Sequence, residues 1–397
     1  MKPLKGIRIA DFTVHNAGPF CTHLLSMLGA ECIKVETALR PDIFRKPHAV
    51  YGRLGPATFD QVASNKMSVR LNLKHPKGVE LAKRLAAKSD VAVESFRAGV
   101  MQRLGLGYED LRAVKKDLVM VSVSSCGQTG PDSHFAGYAP LFGAWGGLGY
   151  LTGYSDGPPV EMRHVMDHSV GLNAALATVA ALHRRRRTGE GSHVDVAARE
   201  VATSLVGEAL MAAATGVPVE RMGNEDYRRA PHGLYATRQK DRWLSISVET
   251  EEQWQALLRI MGRPELGGDN RLATPGKRHA EREWLDTIVS EWSGACDAEE
   301  AAALLQREGI AAHVSWRAED IVNDPHLRER GAILTVREMD GKERAAVGVP
   351  ARFSKTVADS FDRGTPQLGE HEDYVFGELL GIGRAEYADL VNDKAIY

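Results

Sequence analysis

Asp167 is the residue best placed to do covalent chemistry. It stands in the segment MRHVMDHS, immediately ahead of the Ala-rich run HSVGLNAALATVAAL. A carboxylate there has two uses. As a helix N-cap it accepts backbone N–H groups and needs no further role. The same helix terminus also keeps a carboxylate ionised and oriented. An ionised, fixed carboxylate can attack an activated carbonyl and give a covalent intermediate. Backbone N–H groups of the glycine-rich stretch upstream would steady the oxyanion formed in that attack. The local residues leave both readings open.

Other constellations carry less. His164 and His168 flank Asp167, but no third ligand accompanies them, so no metal is expected. No G-x-S-x-G elbow occurs, which argues against a serine hydrolase. The turn VHNAGPF holds one glycine, Gly18, where a dinucleotide fingerprint needs three, although Glu36 sits where a ribose-binding acid would. Arg184 to Arg187 end a helical run before Gly189, where cations complement the helix dipole. With a net charge of −2, no overall field favours nucleic acid or a membrane surface. An anionic ligand must be held by local basic groups.

The elements that position these residues alternate in type over the first third of the chain. KGIRIADFT reads as a buried strand, NAGPFCTHLLSMLGA as a helix with Pro19 near its start, and ECIKVE as a second strand. SVRLNLK, DVAVESF and LVMVSVSS continue the strands, with KGVELAKRLAAK and YEDLRAVKK as helices between them. Such βαβ units imply an α/β fold around a parallel sheet. Residues 127–159 are rich in Gly and Pro and read as irregular, with aromatics that argue for a functional segment rather than disorder. From about Gly223 the texture becomes mixed: two strands around the charged turn of HGLYATRQKDRWLSISV, helices EEQWQALLRIMG and EEAAALLQREG, and the strand IAAHVSW. The chain length of 397 residues suits two domains. We expect a large domain over 1–215, a small α+β domain over 225–320, and a return to the large domain over 330–397. The four cysteines are scattered without C-x-x-C spacing, which fits a reducing cytoplasm. No signal peptide pattern opens the chain, and no stretch reads as long and apolar enough to span a bilayer.

Taken in order, several short segments resemble the family III CoA-transferases (the CaiB/BaiF type). They are GIRIADFT followed by AGPFC, NKMSVRLNLKHPKG, DVAVESFRAGVMQRLGLGY, SSCGQTGP, DGPPVE, MDHSVGLNAALATVAALHRRRRTGEG, NDPHLRERG and PQLGEH. The resemblance implies a Rossmann-like large domain built from both chain ends, a smaller inserted domain, and an interlocked dimer. It implies that Asp167 is the nucleophile, forming a mixed anhydride and then an aspartyl-CoA thioester. By the same resemblance Asn16 and Tyr138 belong to the catalytic site. His15, Arg40, Leu71, Lys74, Ser95, Phe96, Val100 and Arg103 would line the CoA site. Phe96 offers apolar surface to adenine, while Lys74 and Arg103 can pair with phosphate. No permanently bound cofactor is expected, since CoA thioesters are the substrates.

Two features depart from the family pattern. Thr37 follows the acid of the second strand where the family often has Arg, which leaves Arg40 as the substitute. In place of a recognisable glycine-rich lid the chain has MGNEDYRRAPH. An α-methylacyl-CoA racemase of the same fold is the rival reading. It requires a His where AGYA here carries Tyr138, and an ordinary tyrosine is a poor proton shuttle near neutrality. The stretch AGYAPLFGAWGGLGYLTGYSDGPPVEMR is most similar to members acting on succinate-type acids, benzylsuccinate included. Succinyl-CoA is the expected donor and an aryl- or alkyl-succinate the expected acceptor. Arg163, His164 and Arg228 or Arg229 are available for a second substrate carboxylate. The partner is expected to be a second copy or a homologous subunit, in which case this chain, having Asp167, is the active one.

Overall fold

The parallel sheet follows from strands that are apolar on both faces. In the computed structural model β1 (Arg8–Phe12), β2 (Glu31–Glu36), β3 (Met67–Arg70), β4 (Val91–Glu94), β5 (Val119–Ser124) and β6 (Ser192–Ala197) form one sheet in the order β3-β2-β1-β4-β5-β6. Every pairing in it is parallel. The model describes all residues except His48, Val50, Tyr51, Arg53, Arg163, His164, Met339, Asp340 and 357–360. Alternation along each strand sends residues to two cores. Ala10, Phe12, Ile33, Ala92 and Met120 join one, with Leu85, Leu111, Val375 and Phe376. Ile9, Cys32, Val91, Val93 and Val121 join the other, with Leu25, Met166, Val170 and Ala174.

The chain divides into two units. One comprises Met1–Gly149, Glu161–Pro218 and Asp324–Tyr397, and the other Tyr150–Val160 and Val219–Asn323. In the first, the C-terminus is stitched to the sheet. Arg70 Nε donates to Glu372 at 2.7 Å, and the Tyr397 carbonyl accepts from Ala38 N at 2.9 Å. The second has β7 (His232–Ala236), β8 (Trp243–Ser247) and β9 (Ala311–Val314) in an antiparallel sheet over its own core, which includes Trp254, Leu257, Leu285 and Leu305. In the first unit β10 (Ile333–Arg337) and β11 (Glu343–Val347) make an antiparallel ribbon.

Three expectations need correction. The glycine-rich stretch is not irregular throughout, because Pro140 near the start of APLFGAWG opens a helix, Ala139–Gly146, followed by Leu148–Leu151. Asp167 is not the residue before its helix. That helix runs Val165–Thr188, with Asp167 in its first turn. The same helix is long and apolar enough by composition to cross a membrane, contrary to the reading above. Its apolarity comes largely from small residues. Met166, Val170, Gly171, Ala174, Ala175, Thr178 and Ala181 are buried on one face, as a helix packed on a core requires. Its basic end is also anchored: Arg185 reaches Asp90 and Asp117, each at 2.8 Å, which ties the helix to the entries of β4 and β5.

Candidate active site at the carboxyl edge of the sheet

Strand order reverses between β1 and β4, and in such sheets the crevice at the carboxyl ends of the reversing strands is the place for a ligand. The turn after β1 enters this crevice and is locked from below. The Asp11 carboxylate is fully buried and accepts from Thr13 N at 2.9 Å, Thr22 Oγ1 at 2.7 Å and Lys66 Nζ at 2.9 Å. Lys66 also donates to the Pro19 carbonyl at 2.9 Å, and buried Lys34 donates to the Thr13 carbonyl at 2.8 Å. Burial by itself would raise the Asp11 pKa. The Lys66 and Lys34 ammonium groups and the two threonine hydroxyls outweigh it and bring the value down to about 2. The lock allows His15 to hold a left-handed backbone, φ 67°, which non-glycine residues adopt only when their surroundings impose it. Asp42 completes the turn by accepting His15 N at 3.1 Å. Burial pushes the His15 imidazole below its usual pKa against the pull of Asp42, with Arg40 and Lys34 adding to the depression, so the ring is neutral near pH 7.

A cleft of about 940 Å³ opens along the carboxyl ends of β1 to β4. Its wall contains His15, Arg40, Leu71, Lys74, Ser95, Phe96 and Val100, brought together from four separate loops. Ser95 Oγ fixes two of them to each other, accepting Val14 N at 2.9 Å. Glu36 lies in the same wall, but Arg45 Nε and Ser68 Oγ donate to it, each at 2.8 Å. Its carboxylate is therefore engaged and is not offered to a ribose. Arg40, Lys74 and Arg97 also line the cleft, and among the described residues none has a carboxylate within 4 Å. Three unspent cations beside apolar Leu71, Phe96 and Val100 can hold a ligand with phosphates at one end and an aromatic ring near it.

Asp167 approaches this edge through helix packing. A Cβ on Gly171 would lie 2.6 Å from the Ala17 carbonyl and 3.0 Å from Phe20 Cβ, so only glycine lets the two helices touch there. The His168 ring stands edge-on to Phe20, with centroids 4.4 Å apart. Further along, Thr178 lies beside the Cys21 thiol. The C-terminal ends of both helices lie at the amino edge of the sheet, with Arg185 on Asp90 and Asp117 and the Leu28 carbonyl accepting Leu4 N at 2.9 Å, so the helices run in the same sense. The first turn of Val165–Thr188, with Asp167, and the first turn of Ala17–Met27, with Asn16 as N-cap, therefore lie at one end. Asn16 is buried, and its Oδ1 has no hydrogen-bond partner among the described residues. Two helix N-termini converging on a carboxylate and an amide make a setting for anionic chemistry.

The model of CoA-transferase family III matches residues 4–372. The chain belongs to CoA-transferase family III. It is 33% identical over 400 residues to a succinyl-CoA–D-citramalate CoA-transferase of Chloroflexus aurantiacus, covering 100% of this chain and 98% of the relative. It is 32% identical over 402 residues to the beta subunit of a succinyl-CoA–L-malate CoA-transferase of the same organism, covering 99% and 98%. The crystal structure of a CAIB/BAIF family protein from Brucella suis superposes with a TM-score of 0.86 at 29% identity, over 95% of this chain and 99% of that one.

In this family III CoA-transferase, Asn16, Arg103, Tyr138 and Asp167 lie outside the lining of the cleft. Arg103 is exposed and its guanidinium lies over the Gly99 turn. Tyr138 is the N-cap of Ala139–Gly146 and is 68% exposed. Arg163 and His164 fall outside the described residues. Of the other two basic candidates, Arg229 is held by Asp226 and Glu249, while Arg228 has no carboxylate within 4 Å among the described residues. Sequence reading missed Arg97, Lys66, Asp11 and Gly171. Asp11 and Lys66 carried a usable signal, since each is a charge inside an otherwise apolar strand pattern, RIADF and NKMSV. Among the described residues no three His, Cys, Asp or Glu side chains are grouped so as to hold a metal.

Proposed function

We propose that the enzyme moves CoA from succinyl-CoA to a second dicarboxylic acid through covalent intermediates on Asp167. The observation that supports this reading is the packing of two parallel helices, one starting after Asn16 and the other carrying Asp167 in its first turn, at the sheet edge where the cationic cleft opens. The cleft wall at Lys74, Arg40 and Arg97 takes the phosphates and Phe96 takes the adenine. His15 and Asn16 face the thioester. The Asp167 carboxylate attacks the thioester carbonyl and expels CoA thiolate, leaving a mixed anhydride. The thiolate then attacks the Asp167 carbonyl carbon of the anhydride, releasing succinate and forming aspartyl-CoA. The acceptor carboxylate attacks that thioester and the thiolate leaves again. Its final attack on the acceptor carbonyl yields the new acyl-CoA and regenerates Asp167. The Asn16 amide donates to the oxyanion in the acyl-transfer steps.

The acceptor is a succinate-type dicarboxylate, with aryl- and alkyl-succinates in range. Named relatives act on citramalate and malate, which share the dicarboxylate skeleton. Exposed Phe135 and Tyr138 are the apolar surface available to a substituent. Incubation of the protein with succinyl-CoA and malate, citramalate, glutarate or benzylsuccinate, read by acyl-CoA chromatography, tests the assignment. Asp167→Asn abolishes exchange, and hydroxylamine traps an acyl group on the Asp167 peptide of the wild type during turnover. Deuterium entering C2 of a 2-methylacyl-CoA without CoA exchange would establish the racemase instead. We further propose that the chain works as a homodimer or beside a homologous subunit. Leu172, Leu176 and Val179 on the long helix, and Leu210 and Met211 on Gly207–Ala214, are exposed apolar side chains that a partner would cover.

A further inference from the structure

Behind the adenine wall of the cleft lies a carboxyl group for which the reaction above has no use. Glu94 closes β4, is 2% exposed, and pairs in register with Phe12 of β1 and Ser122 of β5. It points to the face of the sheet on which Phe12, Phe96 and Leu104 pack, and all three of these line the cleft. Its Oε2 accepts Phe96 N at 2.7 Å. Ser122 is its other partner, and Ser122 Oγ is also 2.9 Å from His193 Nε2. The His193 ring is stacked on Tyr108, centroids 5.3 Å apart. The charged group facing Glu94 is Asp195 of β6, which accepts Gln128 N at 2.8 Å. No cation is paired with Glu94 among the described residues.

We propose that Glu94 is a positioning residue for the CoA cleft: its buried carboxylate, through the Phe96 N–H, holds the turn that carries Ser95, Phe96 and Arg97 into the cleft wall, and it holds that turn firmly only when ionised. This rests on the CoA-transferase reading of the cleft. A carboxylate accepts a backbone N–H about twice as strongly as a neutral acid does. The Ser122 hydroxyl lets the group change state without stranding a partner. Towards ionised Glu94 it donates. Towards protonated Glu94 it accepts, and its own proton turns to His193 Nε2. Burial, with Asp195 adding like charge, raises the Glu94 carboxyl to about 7, so the exchange falls in the physiological range. His193 is itself shifted down by burial, which favours the neutral ring that accepts.

Two measurements test this. The first needs no substrate: the Phe96 amide proton, followed by NMR in the wild-type protein, shifts with a midpoint near pH 7. In Glu94→Gln the shift is absent, and in Ser122→Ala the midpoint moves up. The second is the affinity for succinyl-CoA. It weakens about three- to tenfold from pH 8 to pH 6 in the wild type. In Glu94→Gln it is weak at both pH values, with kcat retained within about threefold. The CoA phosphomonoester titrates near pH 6 in its own right, so the comparison between variants decides, not the wild-type profile alone. A Phe96 resonance that does not move between pH 6 and 8, or moves equally in Glu94→Gln, overturns the inference. So does a Glu94→Gln enzyme whose affinity follows the wild-type profile. Wild-type protein that binds no succinyl-CoA at any pH, while Phe96 titrates as expected, overturns the CoA reading of the cleft and with it this role for the tether.

Discussion

Replacing Gly171 with alanine tests whether the approach of two helices sets the position of Asp167. The new Cβ would meet the Ala17 carbonyl at 2.6 Å and Phe20 Cβ at 3.0 Å, and ordinary contact begins at 3.4 Å. Neither neighbour is the far end of a flexible side chain, so the helices must part by roughly 0.8 Å, and overpacking of this kind costs about 1–3 kcal/mol. Alanine in place of glycine inside a helix returns roughly 0.5–1 kcal/mol. The net expectation is a loss of about 0.5–2 kcal/mol in urea unfolding. The functional loss is larger. Asp167 sits one turn before Gly171, so the displacement falls between the carboxylate and Asn16. A misplacement near 1 Å lowers a positioned reaction about a hundredfold. We expect kcat for CoA exchange to fall by about ten- to a hundredfold while succinyl-CoA affinity, set in the cleft, changes little. Gly207→Ala is the control. It also lies in a helix of this unit, and its Cβ would meet nothing within 4 Å. Its activity stays at the wild-type level. A Gly171→Ala enzyme more stable than the wild type, with activity within twofold, would refute the claim that this contact positions Asp167.

Three further predictions follow from the buried charges and the cleft. Lys66→Met strands the Asp11 carboxylate among hydroxyls, and breaking a buried pair from one side costs about 3–5 kcal/mol, to be read by urea unfolding at pH 7. Because Asp11 is depressed from 3.8 to about 2, its share of stability is present above the unfolded value and disappears as pH falls through about 2. Lys66→Met lacks that acid-sensitive share. Glu94 has the opposite sign. It is raised from 4.5 to about 7, so its share is complete below the unfolded value and disappears as pH rises through about 7, a change of roughly 3 kcal/mol at most. Glu94→Gln should therefore gain on the wild type in urea midpoint at pH 8 and match it near pH 4.5. Arg97→Ala and Lys74→Ala should each weaken succinyl-CoA binding about three- to thirtyfold with kcat kept, and should reduce its salt dependence, measured by titration calorimetry at two ionic strengths.

The sheet was legible because its signals are local and repeated. Strands such as VMVSVS are buried at every position, so apolarity alone marks them, and the helices between them, up to the 24 residues of Val165–Thr188, leave parallel crossovers as the economical connection. The start of the Val165–Thr188 helix was not legible. MRHV carries no capping residue of its own, and Asp167 resembles a cap so strongly that it drew the boundary to itself. The irregular reading of residues 127–159 failed for a related reason. Five glycines between Gly137 and Gly149 suggest a loop, yet Gly146 sits where a Cβ would lie 2.2 Å from that of Ala202, so there glycine serves helix packing rather than chain reversal. Composition cannot separate these two uses of glycine, because the distinction depends on what lies opposite.

The same dependence on neighbours explains why the carboxylates of this site divide as they do. Asp11, Glu36, Glu94 and Asp167 all sit at or near the carboxyl edge of the sheet. Asp11 has two lysines and is fixed as an anion, and Glu36 is neutralised by Arg45. Neither has an open valence for chemistry. Glu94 has N–H and O–H donors and, among the described residues, no cation paired with it, so its charge responds near neutral pH. Asp167 is carried on a helix terminus beside a second one, where a negative charge is favoured. A nucleophilic carboxylate needs the ionisation that such a terminus favours. A lysine brought up to that carboxylate would compete with the acyl group for its oxygens, so installing one at the neighbouring helix start tests whether Asp167 is the attacking group. Asn16→Lys should keep the fold's stability within about 2 kcal/mol, bind succinyl-CoA at least as tightly as the wild type, and yet lose exchange by more than a hundredfold. Retained exchange in that variant would mean that Asp167 is not the attacking group.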